Sequence, residues 1–303
     1  MKVNVFIPSL NAGPVWGEVL QALKQQTYPV NMFVLADSGS TDTTVFQALE
    51  AGFNIIPVAK KDFDHGGTRQ KAISDYPDAD IYVLLTQDAI PASKDTIAHI
   101  VQVFAERPEI GMAYGRQLPH RGATAPEAHA RLFNYPAQTQ IRGIEDASKY
   151  GIKTISCSNS FAAYRRTAFE EAGGFPSGTI MGEDVIVAGQ MLLKGWKMAY
   201  VADACVYHSH DYTLRQEFER YFDIGVFHES NPWIFASFGT ADREGFRYVK
   251  SELKYILKHQ PLLLPKTFLS FFAKWLGYKL GLQHKKLSLK RKKQFSMFKG
   301  YWK

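Results

Sequence analysis

Cysteine is scarce in this 303-residue chain: the two present, Cys157 and Cys205, lie far apart and in no C-x-x-C pair. That excludes a disulfide framework and a thiolate zinc site, and it fits a reducing, intracellular setting. No apolar run reaches the roughly 18 uninterrupted residues that a membrane span needs. The nearest, Leu262 to Leu282, is broken by Pro265, Lys266, Lys274 and Lys279. The opening MKVNVFIPSLNAG has one lysine and is interrupted at Asn4, so no secretory leader is expected. There is no internal repeat. Two phosphate-binding signatures are missing as well. No G-x-G-x-x-G follows the first apolar run and no G-x-x-x-x-G-K-[ST] occurs anywhere, which counts against a dehydrogenase and a P-loop enzyme. Any phosphate must be held otherwise, and a strand-end carboxylate can do so through a divalent cation.

What is there suits a large folded unit. Hydrophobic residues make up 46% and charged residues 21%, which rules out disorder and supplies a sizeable core. The net charge of +7 is unevenly placed: residues 247–303 carry 15 Lys and Arg against one acid, Glu252, and the first 246 residues are net −7. A basic tail on an acidic body attracts an anionic surface to one end only.

The apolar periodicity alternates. Strands are expected at Lys2–Pro8, Asn31–Asp37, Asn54–Val58, Ile81–Leu85, Met112–Gly115, Thr154–Tyr164 and Lys197–Tyr207. Helices are expected at Val15–Gln26, Thr43–Ala51, Gly67–Asp75, Lys94–Glu106, Thr167–Ala172 and Asp184–Lys194. Such alternation predicts an α/β fold with a mostly parallel central sheet flanked by helices, and ligands then sit beyond the carboxyl ends of the strands. Residues 116–150 read as an irregular excursion.

Three strand ends bring polar groups to that edge: Ser9 and Asn11 after the first, Asp37, Ser38, Ser40 and Asp42 after the second, and Thr86, Gln87 and Asp88 after IYVLL. This convergence suggests a nucleotide site; the bland reading is that the aspartates form turns and cap a helix.

In order, FIPSLNAG, ADSGSTDTT, FDHGGTRQKA, LLTQDAIP and GED resemble the family 2 glycosyltransferases, with F-x-H-G-G-T-R and T-Q-D-A nearest the dTDP-L-rhamnose-dependent branch. The resemblance spans roughly residues 3–212. It implies a single GT-A type nucleotide-sugar-binding domain, with nucleotide binding over about 1–115 and the acceptor side over about 116–212. It also implies an inverting transfer of rhamnose to a polysaccharide hydroxyl. By the same resemblance Asp37 recognises the pyrimidine, Pro8, Ser9, Asn11 and Ser38 line the nucleoside, and Arg69 lies beside the base or diphosphate. His65, Gly66 and Gly67 let backbone approach the sugar phosphate. Thr86, Gln87 and Asp88 occupy the metal motif, with Thr86 in place of its first acid, so Asp88 needs His208 or His210 to help hold Mg²⁺ or Mn²⁺. Asp184 becomes the general base, and Glu183 touches the acceptor or orients the loop. A different nucleotide hexose, such as a UDP-sugar, remains the alternative donor, and a noncatalytic adaptor on the same fold the alternative function.

Residues 213–303 match no motif. Helices are expected at 213–230, 246–258 and 266–282, the first with an aromatic stripe of Phe218, Tyr221, Phe222, Val226 and Phe227 that suits core or a dimer seam. The 266–282 helix places Ser270 and Lys274 on its polar side and precedes the basic run Lys285–Lys293. Residues 260–303 thus suit an anionic membrane surface, placing the enzyme peripherally at the cytoplasmic face beside a lipid-linked acceptor. The alternative is a solvated basic face packed on the body. Nucleic acid is disfavoured because the −7 body offers no basic groove.

Overall fold

The computed structural model describes residues 1–240 and 242–303, with backbone alone at 242 and 243. The chain runs β1 (Val3–Ser9), α1 (Trp16–Lys24), β2 (Met32–Asp37), α2 (Thr44–Glu50), β3 (Asn54–Pro57), α3 (His65–Asp75) and β4 (Ile81–Leu85). It continues through β5 (Ile90–Pro91), α4 (Thr96–Glu106), β6 (Ile110–Leu118), α5 (Ala125–Asn134), β7 (Gln140–Arg142), α6 (Ala147–Tyr150) and β8 (Phe161–Arg165). The remainder is α7 (Arg166–Glu171), α8 (Glu183–Leu193), β9 (Lys197–Tyr207), α9 (Leu214–Ser230), α10 (Pro232–Phe238), α11 (Asp242–His259), α12 (Leu264–Leu282) and α13 (Leu289–Phe295).

One sheet runs in the order β3-β2-β1-β4-β8-β6-β9-β5, with β7 also on β9. β3, β2, β1 and β4 are parallel, as the alternating pattern predicts. β8 then enters antiparallel between β4 and β6, while β6 and β9 run parallel. Side-chain alternation divides the core by sheet face. Phe6, Tyr82, Leu84 and Tyr164 pack on one face under α8 and α9. Val5, Ile7, Val83 and Leu85 pack on the other, where α1 contributes Trp16, Val19, Leu20 and Leu23 at helical spacing. Each such side chain stabilises the fold by ~1.5–3 kcal/mol on burial.

Three expectations differ from the structure. The 116–150 segment is not an excursion: β6 continues through Leu118, a capping box at Thr124 and Glu127 starts α5, and β7 joins the sheet. The strand expected from Thr154 begins only at Phe161, because residues 151–155 turn as a 3-10 helix first. The third concerns α12, where Lys274 faces inward on Glu217 at 3.2 Å, while Phe268, Leu269, Phe272 and Trp275 face out. The reason is steric. Gly277 and Gly281 lie against the carbonyls of Phe218 and Phe222 on α9, so the small-residue face docks and the aromatics are left outside.

The aromatic stripe on α9 is covered from within, Phe222 by Phe295 and Trp302. Phe222, Val226, Phe227, Ile234, Phe238 and Trp302 share one core cluster with the sheet, so residues beyond 212 pack directly onto it.

Candidate active site

A cavity of about 610 Å³ opens at the carboxyl ends of β1 and β4 and extends beneath α8 and α9. Pro8, Ser9, His65, Arg69, Thr86 and Gln87 reach its wall, as do Asp88, Glu183, Asp184, His208 and His210. Asn11, Asp37, Ser38, Gly66 and Gly67 do not line it.

Each of those five has a local reason. Asp37 is buried, and its carboxylate accepts from Ser9 Oγ at 3.0 Å, Ser40 Oγ at 2.5 Å, Gly39 N at 3.0 Å and Ser40 N at 2.9 Å. Its acceptor positions are occupied in folding the β2–α2 turn. Asn11 serves the same turn: its side chain accepts from Thr41 N at 2.8 Å, and its backbone adopts φ +47°. Ser38 is buried beside them. Gly66 lies in the first turn of α3, capped by Asp64, where a Cβ would sit 1.9 Å from the Pro176 carbonyl; Gly67 lies against Asp64. Gly66 thus admits protein backbone and Gly67 the Asp64 side chain, where a sugar phosphate was expected. Gln87 also works structurally, pairing with Leu10 N at 2.8 Å and Leu10 O at 3.3 Å to tie the β4 and β1 ends together.

The acids are built by α8. Gly182 precedes it at φ +77°, with Phe227 packed where a Cβ would be, and this turn delivers Glu183 inward and Asp184 to the cavity wall. Glu183 is buried and pairs with Arg69 at 3.1 Å. Burial alone would raise the Glu183 carboxyl, but Arg69 and His65 outweigh it and hold it below its ordinary value. Asp184 goes the other way: burial, then the Glu183 charge beside it, push it up to about 7. A carboxylate poised there is a competent general base at neutral pH. Arg69, expected at the base or diphosphate, is therefore placed under the acids.

Asn159 was missed by sequence reading. Its backbone N–H donates to Asp184 at 3.1 Å, its amide donates to Glu183 at 2.9 Å, and its side-chain oxygen accepts from Tyr164 at 2.6 Å. One residue thereby orients both acids. It carries no local signature, since the partners lie 24 and 25 positions away.

A second cluster faces the acids' cavity from β4 and the end of β9. His208 Nε2 lies 3.5 Å and His210 Nε2 3.7 Å from the two Asp88 oxygens, and the three groups offer ligand atoms within 4.8 Å of one another. Gln117 Oε1 accepts from His208 Nδ1 at 3.0 Å and from Arg131. Arg131 can only donate, which orients the amide and makes His208 Nδ1 the protonated nitrogen. In a neutral ring Nε2 then presents a lone pair to Asp88. Burial, with His208 alongside, pushes His210 down to about 4, so it is neutral at pH 7. Lone pairs facing a carboxylate fit a divalent cation, and Gln117 is the outer partner that such a ligand set needs. Arg131 and Arg220 also reach the cavity, on helices that carry no motif.

Residues 2–222 match the sequence profile of the family "Glycosyltransferase like family 2". The chain is 49% identical over 303 residues to the O-antigen chain rhamnosyltransferase RfbN of Salmonella typhimurium, covering 100% of this chain and 96% of the relative. It is 47% identical over 300 residues to WbaN, an O-antigen chain rhamnosyltransferase of Salmonella anatum, covering 99% and 95%. Among solved structures, the mannosyltransferase PcManGT of Pyrobaculum calidifontis, in complex with GDP-Man and Mn²⁺, superposes with a TM-score of 0.57 at 19% identity. That match covers 99% of this chain and 84% of that one. S. aureus TarS 1–349 superposes with a TM-score of 0.54 at 13% identity, covering 94% and 91%. At these identities the two structures share the fold.

Proposed function

The chain belongs to glycosyltransferase family 2, and from that premise we propose that it transfers L-rhamnose from dTDP-L-rhamnose to a hydroxyl of a lipid-linked cell-surface polysaccharide, with inversion. The observation that carries the reading is a single cavity holding a base raised to about 7 and a carboxylate–bis-histidine cluster. The full-length relatives, both named for O-antigen rhamnosyl transfer, support the sugar.

Asp184 takes the proton of the acceptor hydroxyl as its oxygen attacks the anomeric carbon from the face opposite the diphosphate. Asn159 and the Arg69–Glu183 pair hold that carboxylate in place, and Glu183 keeps it basic. Asp88, His208 and His210 would hold a divalent cation, the two imidazoles favouring Mn²⁺ over Mg²⁺. When bound, the ion neutralises charge on the departing diphosphate. Pro8 and Ser9 line the nucleoside end. Reading of the pyrimidine by Asp37 requires the ring N–H to displace one of the two hydroxyls, Ser9 or Ser40, that donate to its Oδ1.

The donor is tested by supplying purified protein with Mn²⁺, a membrane fraction bearing lipid-linked glycan, and either dTDP-L-rhamnose or UDP-glucose. Rhamnose incorporation at least ~10-fold above glucose is expected, because the wrong sugar leaves polar groups unpaired. Faster transfer from UDP-glucose overturns the donor assignment.

The surface supports peripheral attachment to an anionic membrane. No helix among the described residues is long and apolar enough to cross a membrane. Yet Phe268, Leu269, Phe272 and Trp275 lie more than half exposed along α12, and Leu262 is 94% exposed, in a segment rich in lysine. An aromatic row flanked by lysines suits the interface of an anionic leaflet. The double variant Phe272→Asp/Trp275→Asp should bind anionic vesicles at least ~10-fold more weakly, since each side chain contributes about 1.5–3 kcal/mol on burial. Cosedimentation equal to wild type contradicts the attachment.

A further inference from the structure

The last residues of the chain return to the cavity. Asp223, fully buried on α9, accepts the backbone N–H groups of Met297 at 2.9 Å and Phe298 at 3.2 Å. Ser296 is fully buried and Trp302 nearly so, which anchors this segment on both sides. Phe298 thereby reaches the cavity wall, its ring edge-on to His65 at 4.3 Å. Phe63 meets the same imidazole at 5.1 Å, and Ile224, next to Asp223, continues the surface. The result is an apolar arc in which Phe63 and Phe298 flank His65, with Ile224 also lining the cavity. His65 in turn adjoins the Arg69–Glu183 pair beneath the base.

A hexosyl donor is polar on nearly every carbon, so an apolar arc inside its site needs an apolar counterpart. A 6-deoxyhexose has one, the methyl group at C6. The arc also holds one unsatisfied polar atom: His65 Nε2 is buried and has no hydrogen-bond partner in the structure. Burial outweighs the Glu183 charge and holds this imidazole below its ordinary value. A sugar hydroxyl adjacent to the methyl-bearing carbon would give Nε2 its partner.

We propose that Phe298, carried into the site by the carboxyl-terminal segment, is a specificity-determining residue that seats the C6 methyl of a 6-deoxyhexosyl donor together with Phe63 and His65. This rests on the rhamnosyl reading above and adds the structural basis of its selectivity. Rejection of a hydroxyl by an apolar pocket is worth roughly 10²-fold, the scale on which the preference should appear.

The test compares dTDP-L-rhamnose with its 6-hydroxylated counterpart, dTDP-L-mannose, as donors for the full-length protein with Mn²⁺. Wild type should favour the deoxy sugar in kcat/KM by about 10²-fold, and Phe298→Ala should lower that preference at least ~10-fold, while Phe298→Leu retains most of it. Phe63 is 39% exposed, so Phe63→Ala spares the fold and should erode the preference in the same direction. Affinity for dTDP alone should be unchanged in all three variants. Absence of rhamnosyl transfer by wild type overturns the donor reading, and this proposal with it. Normal wild-type transfer with an undiminished deoxy preference in Phe298→Ala and Phe63→Ala overturns this proposal alone.

Discussion

Asp184→Asn should lower the rate of sugar transfer by about 10²–10⁴-fold, the range over which a positioned base contributes, while leaving dTDP affinity unchanged. Asn159 N and Val185 N donate to different oxygens of Asp184, so the amide keeps one of these two bonds and turns its NH2 toward the other donor. The same side chain sets two pH dependences. Activity of the wild type should fall tenfold per unit below about pH 7, as the base takes up its proton. Stability runs in the opposite sense. A carboxyl whose folded-state value is raised contributes stability that is fully present below its unfolded value near 4, and that contribution is lost as pH rises through about 7. Wild type therefore loses stability between pH 4 and pH 8 that Asp184→Asn, which does not titrate, keeps, so the stability of the variant relative to wild type should rise by ~1–3 kcal/mol over that interval. Lost turnover with that pH-dependent gain in relative stability is the signature of a base; lost turnover with a stability difference that is the same at pH 4 and pH 8 would make Asp184 a helix-start residue only.

Asp88→Ala should abolish metal-dependent binding of the nucleotide diphosphate and lower transfer by roughly 10³-fold, because charge neutralisation of the leaving group is worth several kcal/mol. The two histidines should differ from each other. His208 is buried and locked by Gln117, so His208→Ala should weaken Mn²⁺ more than His210→Ala. Gln117→Leu, which leaves the ligands in place, should itself cost about 10–100-fold in Mn²⁺ affinity. Titration of Mn²⁺ by electron paramagnetic resonance separates these variants without reference to turnover. Equal Mn²⁺ affinity in wild type and Asp88→Ala would remove the metal site from β4.

The elements that sequence alone makes legible are those whose signal is local. The strand IYVLL is buried along its whole length, and α1 and α4 bury the apolar faces that their spacing predicts. The candidate site residues on strand ends and helix starts, Asp88 and Asp184 above all, are local in the same sense. What escaped is set by pairing at a distance. β8 enters antiparallel because of its partners β4 and β6, which no pattern within FAAYR expresses. Lys274 reads as a solvent-facing charge until Glu217 and the glycine face of α12 draw it inward. Asp37 is ambiguous for a local reason instead: a ligand-reading strand end and a turn whose N–H donors two and three positions on fill the carboxylate have the same composition. Asn159, Gln117 and Phe298 belong to the cavity through contacts spanning tens to hundreds of positions, beyond the reach of any spacing rule.

The central claim is that one cavity binds a thymidine diphosphate sugar through a divalent cation held by Asp88, His208 and His210. Calorimetric titration of the purified protein with dTDP and with UDP, each with and without Mn²⁺, tests it most directly. Tighter binding of dTDP than of UDP, strengthened by Mn²⁺ and insensitive to it in Asp88→Ala, is the predicted result. Absence of heat with either nucleotide from folded protein, or binding indifferent to Mn²⁺ in the wild type, would contradict it.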